Sequence, residues 1–176
     1  EVYNLSDMPI ARGSSDYGYV AYYAYVVHNT ADAEPLTELV VGDYTFAKSG
    51  DRYFLVKYSG LDTDIVLDTF KYDGGDITEY EIVRQAFEEA YTVKSIELTD
   101  AVKVIDENAF SNKGSLEKVS FEKNKSLTDI PKYAFSWCEN LTDIFFAGTK
   151  EKWNKLVNNA GRLGLRDTVN VYFDNQ

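Results

Sequence analysis

Few side chains in this sequence could act as a nucleophile or a general base. His28 is the only histidine and Cys138 the only cysteine. A histidine-activated nucleophile would therefore have to join His28 to Cys138, or to a serine, from distant parts of the chain. The local sequence Val27-His28-Asn29-Thr30 reads more simply as a strand end or turn. A single cysteine excludes an internal disulfide and every multi-cysteine metal site. Carboxylates are plentiful, with 29 Asp and Glu residues. Glycoside hydrolysis would need two of them held ~5 to 9.5 Å apart with one proton retained, and so dense a population forms surface pairs by chance. Asp62-Thr-Asp64 and Asp73-Gly-Gly-Asp76 could offer oxygens to calcium, yet neither has the spacing of a calcium loop, and both read as turns. No glycine-rich phosphate loop or dinucleotide fingerprint is present. The expectation is a protein that is not an enzyme and holds no metal or cofactor.

The formal charge of -11 and pI near 4.5 repel phosphate backbones and anionic membrane surfaces, so no nucleic-acid partner is expected. No apolar run approaches the ~18 residues of a membrane span and no leader-like segment stands at Glu1 to Leu5, so no membrane insertion is expected. With 176 residues, 44% apolar and 15% aromatic, the chain can order one domain or one elongated array around a sizeable core.

The elements that would position any site follow a period. Ile82-x-x-x-Ala86-Phe87, Ile105-x-x-x-Ala109-Phe110 and Ile130-x-x-x-Ala134-Phe135 share one form, their phenylalanines 23 and 25 residues apart. Six residues after each phenylalanine a second element begins: Val93-x-x-Ile96-x-Leu98, Leu116-x-x-Val119-x-Phe121 and Leu141-x-x-Ile144-x-Phe146. The closing apolar pair of each has period two, the mark of a strand with one buried face. One unit cannot close a core, whereas stacked units bury a continuous one with their strands parallel. The fold class is α/β: a solenoid of short parallel strands, turns and short helices. These repeated residues read as core. Cys138 stands where the other units carry Ala90 and Lys113, and reads as a small buried filler.

Around the regular repeats of 82–148 the pattern loosens. In 44–81, an irregular leading unit, Phe54 to Tyr58 and Ile65 to Leu67 read as two short strands joined by Ser59-Gly-Leu-Asp-Thr63, with Leu55, Ile65, Leu67 and Ile82 continuing the core. Segment 1–43 is tyrosine-rich, with six tyrosines from Tyr3 to Tyr25. Its Val20-x-x-x-Ala24-Tyr25 echoes the repeat, and Tyr19, Tyr22 and Tyr23 alternatively share helical spacing. These rings would pack on the end of the solenoid or form an adhesive patch. In 149–176, Thr149 is placed to cap a helix whose Trp153, Leu156 and Val157 cover the open end of the core, and Val169 to Phe173 alternates as a last edge strand.

The Ile-x-x-x-Ala-Phe element, the strand six residues on and the closing Phe146-Ala-Gly-Thr-x-x-x-Trp153 resemble the BspA-like leucine-rich-repeat proteins. Gly13 to Val20 and Tyr58 to Ile65 resemble, less specifically, the units found between repeat blocks of that family. Two features depart from it: the cysteine usual after Ala-Phe survives only as Cys138, and the proline that often ends the strand is missing. The resemblance implies a secreted or cell-surface bacterial protein used for adhesion to host or bacterial proteins or glycans, with no shared catalytic motif. It also implies that Glu1 to Leu5 is the tail of a preceding repeat strand, leaving an apolar N-terminal face prone to self-association.

Positions between the buried ones on each repeat strand should form an open ladder: Ser95, Lys118 and Asp143, with Glu97, Ser120 and Phe145 beside them. These six are the candidate ligand-binding residues of a recognition module. The alternatives are a spacer or cell-wall stalk without a specific ligand, and an accessory domain of a secreted hydrolase.

Overall fold

The computed structural model describes residues 2–4, 10, 12, 19, 21, 24, 26–28, 35–158 and 163–174. Its strands are β1 (Val2–Tyr3), β2 (Val27–His28), β3 (Thr37–Val41), β4 (Tyr44–Ser49), β5 (Arg52–Tyr58), β6 (Asp64–Leu67) and β7 (Phe70–Tyr72). Then follow β8 (Gly75–Ile77), β9 (Tyr80–Ile82), β10 (Ser95–Thr99), β11 (Val102–Ile105), β12 (Lys118–Lys123) and β13 (Asp143–Phe146). Helix α1 (Lys150–Asn158) and strand β14 (Asn170–Phe173) close the chain.

The expected parallel ladder is present and longer than three rungs. Its order is β14-β13-β12-β10-β6, every neighbour parallel. Period-two alternation places Ile65, Ile96, Val119, Ile144 and Val171 in one row, and Leu98 aligns with Leu67 as Phe121 does with Phe146. From Ile65 to Ile144, and at Leu67, Leu98, Phe121 and Phe146, these inward residues are buried. The register holds because a slip by one residue would turn the apolar set outward.

Each Ile-x-x-x-Ala-Phe element then turns the chain into the core. The residue before Ala-Phe is left-handed in all three units, with φ of 63° at Gln85, 59° at Asn108 and 62° at Tyr133. The following Ala86, Ala109 and Ala134 are almost fully buried where neighbouring turns crowd. The phenylalanines stack into a continuous ladder: ring centroids are 5.1 Å apart for Phe87 and Phe110 and 5.5 Å for Phe110 and Phe135. Tyr58 extends it, 5.7 Å from Phe87, so the leading unit supplies a tyrosine where later units supply phenylalanine. Backbone bonds tie the rungs, from Tyr58 N to Ala86 O at 2.8 Å and from Phe110 N to Ala134 O at 3.1 Å.

The leading region differs from expectation. Phe54–Tyr58 and Ile65–Leu67 lie in different sheets, since β5 joins a second sheet of order β11-β9-β5-β4-β3 while β6 starts the main one. In the second sheet β3, β4 and β5 form an antiparallel meander, and β9 and β11 add in parallel. The meander turns at Gly42-Asp43 and Gly50-Asp51, with φ of 58° at Gly42 and 57° at Gly50, values a residue with a Cβ resists. The first of these turns, where the sequence reading divides 1–43 from 44–81, joins two paired strands. Leu55, Ile65, Leu67 and Ile82 are all buried in one core.

At the other end, the Lys152 N–H donates to Thr149 Oγ1 at 3.3 Å, and Trp153 packs its ring 5.9 Å from Phe121 and 5.4 Å from Phe146. The helix thus covers the last apolar rung, and β14 adds the edge strand. Near the N-terminus, β1 and β2 pair in parallel, Val2 with Val27. The echo at Val20, Tyr25 and the helical spacing of Tyr22 and Tyr23 fall outside the described residues.

Candidate functional site

The outward rows of the main sheet are Asp64, Ser95, Lys118, Asp143 and Asn170, and beside them Val66, Glu97, Ser120, Phe145 and Tyr172. All six residues expected from the sequence lie in these rows, in neighbouring register. Ser120 is the exception in accessibility: it is 4% exposed, because its short side chain sits between Glu97 and Phe145. Its hydroxyl bonds Glu122, accepting the backbone N–H at 3.3 Å and approaching Oε2 at 3.2 Å. It supports the face and offers little surface to a partner.

The face divides into two chemical halves. On β6 and β10 the polar groups satisfy one another. Ser95 donates to Asp64 Oδ1 at 2.5 Å and Thr63 donates to Oδ2 at 2.8 Å, which hold the Asp64 carboxyl below the usual carboxylate range. Glu97 is ion-paired to Lys123 at 2.7 Å. On β12 to β14 a cationic and aromatic group forms instead. Phe145 stacks on Tyr172 at 4.8 Å with planes 15° apart, and Lys118 Nζ lies 4.5 Å from the Phe145 ring centroid. Thr142 donates to Asp143 at 2.7 Å. The Tyr172 hydroxyl also donates to Asp143, raising the phenol and, after Thr142, lowering the carboxyl. Rings, ammonium and carboxylate are thereby oriented together on the surface, with Tyr172 44% exposed.

Tyr172, Asp64 and Val66 are members that the repeat spacing missed. The alternations Asp64-Ile-Val66-Leu67 and Asn170-Val-Tyr172-Phe173 carry the same in-out pattern as the three regular strands, which was the available signal.

The remaining ionisable groups lie away from the strand face or are engaged by neighbours. Cys138 is buried and donates its S–H to Phe110 O at 3.1 Å, and burial pushes the thiol up to about 11, so it lacks thiolate character. Burial lowers the neighbouring Lys113, whose ammonium donates to Glu88 O at 2.8 Å. His28 stacks on Tyr3 at 4.7 Å. Glu81 and Asp106 are brought together by Arg12, which bonds Glu81 at 2.7 Å and also pairs with Asp106. Burial opposes the Arg12 charge, but the charges of Asp106 and Glu81 outweigh it and raise the guanidinium. Asp73-Gly-Gly-Asp76 is the β7–β8 hairpin turn. Among the described residues no group of three or more His, Cys, Asp or Glu could hold a metal ion, and no helix is long and apolar enough to cross a membrane.

Parallel rungs repeated about every 25 residues around a phenylalanine ladder define a leucine-rich-repeat solenoid. Residues 76–160 match the model of the BspA type leucine rich repeat region, with 6 copies. That region of the chain is therefore built of BspA type leucine-rich repeats. It is similar to a leucine rich cell surface protein of Faecalibacterium prausnitzii A2-165, with 25% identity and a TM-score of 0.54 over 64% of this chain. The match spans 34% of that protein's length. A leucine-rich repeat protein of Bacteroides capillosus ATCC 29799 has the same fold, with 21% identity and a TM-score of 0.57 over 78% of this chain and 98% of its own. No curated protein matches the sequence.

Proposed function

We propose that this chain is a non-enzymatic recognition module of a bacterial cell-surface protein, binding a protein partner through the β12 to β14 half of its strand face. The observation that carries this reading is the Phe145–Tyr172 stack flanked by Lys118 and Asp143. Aromatic anchors with adjacent charges are the side chains on which protein interfaces concentrate binding energy, and a solenoid sheet presents them on a rigid support. Surface location is supported by the F. prausnitzii relative, which is described as a cell surface protein.

The test is surface-captured binding of host matrix proteins and bacterial surface proteins to the intact chain. A genuine partner should bind at least ~10-fold more weakly to Phe145→Ala and to Lys118→Glu, since one hot-spot side chain accounts for about 1.4 kcal/mol or more. A partner whose affinity is the same for both variants would remove the strand-face reading. No binding by any such protein would favour a spacer role.

A further inference from the structure

The turns that follow each ring of the phenylalanine ladder form a second surface. Two positions there are left-handed: the residue before Ala-Phe, and the residue two after Phe in the second and third units. The second unit fills them with Asn108 and Asn112, at φ of 59° each, and the first unit places Gln85 at the former. Asparagine tolerates this backbone well. The third unit fills the same two positions with Tyr133 and Trp137, at φ of 62° and 63°. A bulky side chain is disfavoured in this region. Trp137 gains no core packing in return, being 75% exposed, and Tyr133 is 41% exposed. Asn112 shows what the repeat needs for folding at this position, so the tryptophan answers to something outside the core.

Both rings border a cleft of about 430 Å³ between this turn and Gly164 to Arg166, with Ser136, Glu139 and Arg166 at its walls. Gly164 brings the two walls together. Its φ is 78°, and a Cβ there would stand 2.0 Å from Ser136 Oγ and 2.7 Å from Ser136 Cα. The volume lies within the range of small-ligand sites, which combine apolar walls with a few fixed polar groups.

We propose that this cleft is a saccharide-binding site, distinct from the strand face. The apolar face of a sugar ring stacks on the Trp137 indole beside Tyr133, while its hydroxyls meet the Arg166 guanidinium and the Glu139 carboxylate. A hydroxyl both donates and accepts, so it matches a rim holding a donor-only and an acceptor-only group. The opposed charges of Arg166 and Glu139 disfavour a strongly charged ligand. An apolar peptide side chain would use the rings and leave both charges unmatched.

The molecule carries its own reporter. Of its two tryptophans, Trp153 is buried at 6% exposure and Trp137 is open, so the acrylamide-quenchable emission belongs to Trp137. The experiment titrates the intact chain with neutral oligosaccharides of glucose, xylose, mannose and galactose. At least one should give a saturable blue shift and protect Trp137 from acrylamide. Trp137→Asn, which installs the residue type of Asn112, should keep the melting temperature. Because it also removes the reporter, calorimetric titration should show saccharide binding lost in that variant. Arg166→Ala should weaken binding at least ~10-fold, and Phe145→Ala should bind the saccharide normally, so either site can fail without the other. No response to any oligosaccharide, equal binding by Trp137→Asn, or marked destabilisation of that variant would overturn the proposal. So would binding of tyrosine- or tryptophan-containing peptides in place of sugars.

Discussion

The two ends of the core are aromatic in different ways. From Phe87 to Phe135 the rings follow one another in the order of the chain, tilted by 38° between Phe87 and Phe110 and stacked within 5° between Phe110 and Phe135. In the leading region Tyr44, Phe46, Phe70 and Tyr80 form a cluster, with centroids 4.6 to 5.6 Å apart and mostly tilted or edge-on geometry. The stack is one-dimensional: a lost ring separates its neighbours. The cluster is cross-braced by the β3–β4–β5 meander and the β7–β8 hairpin, so each ring has several partners. Repetition makes a core extensible, whereas the meander region is irregular.

The sharpest test of that contrast compares one ring from each end. Phe110→Ala should destabilise the protein by about 3 to 5 kcal/mol, because a fully buried ring leaves a cavity inside a stack that cannot collapse sideways. Phe70→Ala should cost about 2 kcal/mol, since Phe70 is only half-buried and its three ring partners also touch one another or the rest of the core. Urea unfolding measures both, and equal losses would break the distinction.

Alkaline pH probes the two ends with the same sign. The folded chain holds the Cys138 proton up to about 11, against an ordinary 9.0. This contribution is complete below pH 9 and is lost as pH rises to 11, by ~1.4 kcal/mol per pH unit and about 2 to 3 kcal/mol in all. Tyr44 and Tyr80, whose phenols burial pushes above the usual range, act in the same direction in the leading cluster. Lys113, lowered by burial, acts in the opposite direction. Cys138→Ala should flatten the fall in stability between pH 9 and 11. An unchanged slope would assign the alkaline loss to the tyrosines.

The smallest effect should be a gain. The Tyr80 hydroxyl is buried with no hydrogen-bond partner among the described residues, so Tyr80→Phe keeps the ring contacts and removes a desolvated group, stabilising by about 1 kcal/mol. Thermal unfolding would reveal it. A loss would mean that the cluster depends on that hydroxyl, unlike the all-phenylalanine stack.

Much of the repeat half was legible because its signals are local. Ile96 and Leu98, Val119 and Phe121, and Ile144 and Phe146 declare a buried strand face by period two, and Thr149 with Trp153 declares a capped helix. The leading half hid its second sheet. The Gly42-Asp43 and Gly50-Asp51 hairpins went unread, and nothing near them showed that β5 would pair with β9 while β6 opened the main ladder.

By itself, the sequence determined the period, the inward rows, the phenylalanine ladder and the six strand-face positions, since in-out alternation is set by each residue's immediate neighbours. Only the tertiary structure decided that Tyr58 would serve as a rung and that Ser120 would be covered between Glu97 and Phe145. It also decided that Tyr172 would stack on Phe145 and that Gly164 would close against Ser136. Each of these outcomes joins side chains from different turns of the solenoid, and packing between turns depends on shape and register that no local pattern records.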